Sequence, residues 1–282
     1  MWVKILFLIF VFSFLFRTDH SFDQDLGRHI KMGEVITQTG SVPKTNLFSY
    51  TNSDFPFINT HWLFEVFVFW VSQTIGIQSL IVLKILIILL SVWLTLKIIH
   101  SQNSTLLLPV GFIFLHVLRE RAELRPEIFS FLFTAVTYFV LERFINPSTS
   151  SPRTRGSNNL LAPLFNWIPA FAGMTRWAKS IYLLPLIQLI WINTHIYFFI
   201  GIILQAIFLV YMGYQHLRFH LGGGKLKLLA FIFTLSVLVS LINPNGLAGF
   251  LYPLNVTKNY GYTVVENQTM FLLENIQFSD PN

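Results

Sequence analysis

Cysteine is absent from the 282 residues, and charged side chains make up only 11% of them. The first absence excludes a disulfide-stapled fold and any zinc or iron–sulfur centre built on thiolates. The second excludes more. A soluble domain carries roughly 25% charged residues, so this chain has too little charge to coat a water-facing particle of its size. Disorder is excluded as well, because 54% of the residues are hydrophobic and 30 are phenylalanine. Fifteen glycines without a three-residue period exclude collagen.

What the chain does have is apolar runs, with a mean hydropathy of +0.60. About 20 apolar residues cross a bilayer as a helix, and on that measure the sequence predicts an all-α, polytopic membrane helix bundle. Its first span is Trp2–Phe16, which no small-x-small cleavage site follows as it would a signal peptide. Further spans are expected at Ser79–Ile99, Leu106–Leu118, Ile128–Ile145, Ile181–Asn193, Tyr197–Tyr214 and Leu226–Ile242, seven in all. His61–Ile75 is apolar but short and carries Glu65, so it is expected to lie at the interface or dip into the membrane. The chain therefore reads as a single domain over 1–282, with a first outer loop at 17–61 and an outer tail starting at 243.

The pI near 9.6 suggests nucleic acid until the charges are placed along the chain. With the N-terminus inside, ten of the nineteen basic residues, among them Lys4, Lys97, Arg143, Arg218, Lys225 and Lys227, fall on the cytoplasmic side with one acid, Glu142. This is the positive-inside pattern, scattered over membrane-proximal loops, and it leaves no nucleic-acid patch. Lys84 is the one ionisable residue placed well inside a span, where a transporter would need several.

Residues 148–179 have a different composition. Ser, Pro, Arg, Asn and Gly lead into Ile168-Pro169-Ala170-Phe171-Ala172-Gly173-Met174-Thr175, which resembles the translation of an interspersed bacterial DNA repeat. A cytoplasmic loop accepts such an insertion cheaply, since loop-closure entropy grows only logarithmically with length. The other reading is an interfacial hairpin that holds Trp167 and Phe171 at the membrane surface.

Chemistry concentrates in the outer segments. Asp23 and Asp25 precede a stretch with apolar Leu26, Ile30 and Met32, the pattern of an amphipathic surface helix with its acids at the N-terminal end. On it Asp25 and His29 stand four apart, as do His61 and Glu65 at the end of the loop. Such carboxylate and imidazole pairs serve as a general base or bind a divalent cation such as Mg²⁺ or Mn²⁺, with Asp23 and Asp25 the metal candidates. The plainer reading is a solvated loop whose acids cap a helix. A second cluster, Arg119-Glu120-Arg121-Ala122-Glu123-Leu124-Arg125-Pro126-Glu127, sets charges at a membrane boundary. Either they pair with one another, or Arg119, Arg121 and Arg125 hold a lipid phosphate, which suits the planar guanidinium fork. His195 follows Asn193 at the next outer turn, and Asn243-Pro244-Asn245-Gly246 is a turn signal. Gly222-Gly223-Gly224 lacks the strand-to-helix setting of a phosphate loop and reads as an inner turn.

The order of these motifs resembles the GT-C superfamily of membrane glycosyltransferases, and within it the bacterial, dolichyl-phosphate-mannose–protein mannosyltransferase-like branch. The resemblance rests on Asp23, Asp25, Gly27 and His29, then Met32-Gly33-Glu34, Gly40-Ser41-Val42-Pro43 and Phe48-Ser49-Tyr50-Thr51. It continues through His61-Trp62-Leu63, Arg125-Pro126-Glu127, Trp191-Ile192-Asn193-Thr194-His195 and Asn243-Pro244-Asn245-Gly246. It implies a bacterial inner-membrane enzyme that moves a sugar from a polyprenyl-phosphate carrier to a lipid, glycan or protein acceptor on the outer face. By that resemblance Asp23 or Asp25 is the acceptor-activating base or a metal ligand, Arg119, Arg121 and Arg125 hold the donor phosphate, and His29, His61, Glu65 and His195 bind substrate. Relatives in the superfamily commonly continue for further spans and an outer domain, so the chain also reads as a C-terminally truncated member. The competing readings are an inactive remnant or non-catalytic membrane protein and, third, a transporter.

Overall fold

A computed structural model describes residues 2–16, 25–51, 53–98, 110–114, 123–146, 178–220 and 222–255. They are helical throughout apart from loops and one isolated bridge between Thr45 and Pro56. The named helices are α1 (Trp2–Leu15), α2 (Leu26–Thr39), α3 (Trp62–Thr74), α4 (Ser79–Ile98), α5 (Glu127–Ile145), α6 (Leu184–Thr194), α7 (Phe199–Phe219), α8 (Gly223–Val239) and α9 (Gly246–Asn255). Short 3-10 helices at Ala178–Leu183 and Ile196–Phe198 lead into α6 and α7.

Among the described residues three segments are long and apolar enough to cross a membrane, Ser79–Ile98, Glu127–Ile145 and Ile196–Phe219. Seven were expected. Leu106–Leu118 and the insertion at 148–179 fall mostly outside the described residues. The other shortfalls have local causes. The first helix is only 14 residues long, and the run from Ile181 to Asn193 is divided between a 3-10 helix and the 11-residue α6, with Pro185 in its first turn. The last run forms a helix of 17 residues.

The core fixes the helix directions. Leu80, Ile85 and Ile88 of α4 pack with Leu124 and Ile128, whereas Leu94 packs with Ala135 and Phe139, so α4 and α5 run parallel. Helix α1 runs antiparallel to α4, with Lys4 near its start donating to the Leu96 carbonyl at 2.6 Å. Trp191 late in α6 meets Ser130 early in α5, while Ile181 and Leu184 join Leu141 and Phe144, so α6 opposes α5. Tyr138 meets Phe208 edge-on and Met212 lies with Phe144, which makes α7 parallel to α5. Lys225, opening α8, reaches the Phe144 carbonyl at 3.0 Å, so α8 returns in the opposite sense.

The pair α2–α3 positions the site. Leu26, His29, Met32, Gly33 and Ile36 form the buried stripe of α2, spaced at three and four residues. Gly40 ends the helix in a left-handed conformation, φ 65°, with its N–H on the Ile36 carbonyl, a C-terminal turn that glycine adopts without steric cost. The facing stripe of α3 is Phe64, Glu65 and Val68. Gly33 sets their separation, because a Cβ there would collide with the Glu65 carbonyl and stand 2.7 Å from Phe69 Cβ.

Candidate functional site

Four of the predicted site residues converge. His29 from α2, His61 and Glu65 from the start of α3, and His195 from the turn after α6 meet in one polar network at one end of the helices. Glu65 is 0% exposed, a position that an ionised carboxylate tolerates only with partners. It has two: its Oε1 lies 3.1 Å from His29 Nδ1, and its Oε2 accepts the Asn59 amide N–H at 2.6 Å. Asn59 in turn accepts the His61 backbone N–H on its Oδ1 at 2.9 Å, and its carbonyl accepts from Asn245 Nδ2 at 3.4 Å. Phe64 meets the His29 ring edge-on at 5.2 Å and helps set its plane.

The second half of the network centres on His195, 5% exposed. Its Nδ1 is 2.8 Å from Ser130 Oγ, and Trp191 Nε1–H donates to the same Oγ at 2.8 Å. Trp191 fills one acceptor position of the serine, which keeps one O–H to donate and one further lone pair to accept in its bond with His195 Nδ1. His61 links the halves: its ring lies 6.0 Å from that of His29 and 5.4 Å from that of His195, and its Nδ1 lies 3.3 Å from Thr60 Oγ1. Each imidazole is thus tethered through Nδ1, and no Nε2 hydrogen-bonds another described residue. Trp62 Nε1 donates to Asn193 Oδ1 at 2.7 Å, and Asn193 donates to the Ile242 carbonyl at 3.0 Å, bracing the same end.

Burial decides the charge states of two rings. Lost solvation, followed by repulsion from His195, His29 and Arg28, holds His61 well below the usual imidazole range. Lost solvation lowers His195 to about 3. Both are neutral at pH 7, able to donate or accept a hydrogen bond without carrying a charge into the site.

Other expectations meet differently. Asp25 precedes α2 but makes no side-chain cap; its carbonyl accepts the His29 N–H at 3.0 Å, while its carboxylate stays exposed, 3.8 Å from Arg28 Nε. The α-helical stripe carries His29 inward and leaves Asp25 at the water-facing end. Glu65 bonds His29 and Asn59 rather than His61, four residues before it. Arg125 pairs with Glu123 at 3.0 Å, at the same end of α5 as Ser130. Lys84 lies in the second turn of α4, within electrostatic reach of Glu123, and not at the middle of the span as expected. Asp23, Arg119 and Arg121 lie outside the described residues. Among the described residues no group of three or more His, Asp or Glu side chains is gathered to hold a metal ion.

Asn59, Ser130 and Trp191 complete the network without having been singled out for it. The signal for Ser130 was its hydroxyl in the apolar first half of α5, a weak one because hydroxyls often bond their own helix. The chain matches no protein family, no curated protein and no solved structure.

Proposed function

We propose that the chain is a membrane glycosyltransferase of the GT-C type, which transfers a sugar from a polyprenyl-phosphate carrier to a lipid, glycan or protein hydroxyl on the outer face of a bacterial inner membrane. The observation that carries this reading is the convergence of His29, His61, Glu65 and His195 at the end of the helices that also holds Asp25 and Arg125. Neutral imidazoles and buried amides suit a polyhydroxylated sugar, which needs many hydrogen bonds and little charge. Arg125, with Arg119 and Arg121, takes the donor phosphate once Glu123 yields its place. Of the first outer loop, Asp23 or Asp25 is a candidate for the base or, where a divalent metal is used, for its ligand, and His29, close after them in sequence, is a further candidate for the proton.

The seven-crossing arrangement belongs to the same proposal. The alternating directions of α5, α6, α7 and α8 support it. So does length: the 3-10 helix and α6 together extend about 28 Å and α8 about 26 Å, close to the ~30 Å hydrocarbon core. The basic residues Lys4, Lys97, Arg143 and Lys225 gather at the end opposite the network, which then faces the cytoplasm.

The test is donor binding by the purified chain in detergent, titrated with polyprenyl-phosphate mannose with and without Mg²⁺ or Mn²⁺. Saturable binding that weakens on Arg125→Ala or Asp25→Asn is the expected result. A well-folded chain that binds no donor would instead be a helical scaffold without a working site, the reading that the deep burial of Glu65 also favours. Proteoliposome uptake lost on Lys84→Met would point to the transporter.

A further inference from the structure

We infer that His29, through Nε2, is the proton acceptor for the attacking hydroxyl, with Glu65 and Asn59 as its positioning residues, and that Asp25 is not the base. The inference rests on the glycosyltransferase reading and decides which of its first-loop residues moves the proton.

Three observations carry it. The first is that His29 is held from behind: Glu65 Oε1 engages Nδ1 at 3.1 Å, and Asn59 grips the other carboxylate oxygen at 2.6 Å. A neutral imidazole that donates Nδ1–H to a carboxylate has its lone pair on Nε2, and the carboxylate stabilises the imidazolium that forms when Nε2 takes a proton. Secondly, Nε2 is the end of the ring that no other described residue engages. It belongs to the same set as the Nε2 atoms of His61 and His195. The third concerns Asp25. Its carboxylate is exposed, 3.8 Å from Arg28 Nε, and lies outside the buried network that holds His29.

The close approach of α2 and α3 builds the pair. Gly33 lies one turn beyond His29 and admits the α3 backbone at Glu65, so the carboxylate reaches Nδ1 without leaving its helix. The charged and titratable groups around His29 are Glu65 and His61 from α3, with Asp25 and Arg28 on its own helix, and His195 beyond His61. In the reaction the acceptor oxygen forms a bond to the anomeric carbon while the bond from that carbon to the phosphate oxygen breaks. The electron pair leaves with the polyprenyl phosphate, the hydroxyl proton passes to His29 Nε2, and water later removes it.

The test uses the full chain in membrane vesicles supplied with polyprenyl-phosphate [3H]mannose, following release of polyprenyl phosphate from pH 5 to 9. His29→Gln, which keeps an N–H for Glu65, is expected to lose about 100-fold or more in kcat/KM. His29→Ala should regain activity on addition of imidazole. Glu65→Gln should move the acidic limb of the profile down by about one pH unit, because the charge that stabilises the imidazolium is gone. Asp25→Asn should leave that limb in place. An active wild type whose limb ignores Glu65→Gln, or a folded His29→Ala chain that binds donor but is not rescued by imidazole, overturns the assignment. A wild-type chain that binds donor and releases nothing defeats the glycosyltransferase reading itself, whatever the variants do.

Discussion

At one end of the helices, Lys4 and Lys225 donate to main-chain carbonyls, Leu96 at 2.6 Å and Phe144 at 3.0 Å. At the other, side chains far apart in sequence bond one another: His29 with Glu65, Ser130 with His195, Trp62 with Asn193. The two solutions make different demands on sequence. A helix C-terminus offers unpaired carbonyls and a partial negative charge to any long cation within reach, so the residue type matters more than its position. A buried side-chain network works only if every member is present, because each group left without its partner keeps its desolvation cost. The basic end is therefore the tolerant one, and the network end is where identity is constrained.

The largest expected effect comes from breaking the network at its centre. Glu65→Leu strands His29 Nδ1 and the Asn59 amide together and is expected to cost about 3–5 kcal/mol. Thermal unfolding in detergent, followed by tryptophan fluorescence, checks it; a shift no larger than that of a lysine variant would erase the contrast between the ends. Gly33→Ala is expected to cost about 1–3 kcal/mol by forcing α2 away from Glu65. It should also weaken the His29–Glu65 bond, visible as an altered His29 signal in 15N-labelled imidazole NMR.

Acid sharpens the comparison without mutation. His61 and His195 are held below the ordinary imidazole value, so the unfolded chain binds protons that the folded chain refuses. Stability is whole above the unfolded value of about 6.5 and falls as pH drops below it, for His195 down to about 3, by up to ~1.4 kcal/mol per pH unit for each ring that the folded chain keeps neutral. Replacing His195 with Gln should flatten part of that slope in unfolding titrations. The smallest effect belongs to the basic end. Lys225→Arg keeps a cation at the α5 terminus and is expected to change stability by less than about 0.5 kcal/mol, and Lys225→Met by about 1 kcal/mol at most. A cost above that of Glu65→Leu would invert the proposed hierarchy.

Much of this was legible from residue types. Helical class, the strong spans at Ser79–Ile98 and Glu127–Ile145, and the turn at 243–246 follow from apolar run length and from Asn-Pro-Asn-Gly chemistry. The turn forms with Gly246 N–H on the Asn243 carbonyl at 3.0 Å. His29, His61, Glu65 and His195 were visible as candidates because polar groups are rare in so apolar a chain. Their pairing was not. Helical spacing set Asp25 against His29 and His61 against Glu65, since residues four apart share a face. Contact with a neighbouring helix overrode that local geometry, drawing His29 and Glu65 to each other and leaving Asp25 to Arg28.

The sequence by itself determined that this chain is helical and suited to a bilayer, and it set which few polar residues stand out. Burial of apolar runs is non-directional, and composition reports it faithfully. Tertiary structure decided which imidazole meets which carboxylate and which ring stays neutral. Hydrogen bonds are directional and short, and a glycine at position 33, admitting one backbone to another, is enough to determine where they form.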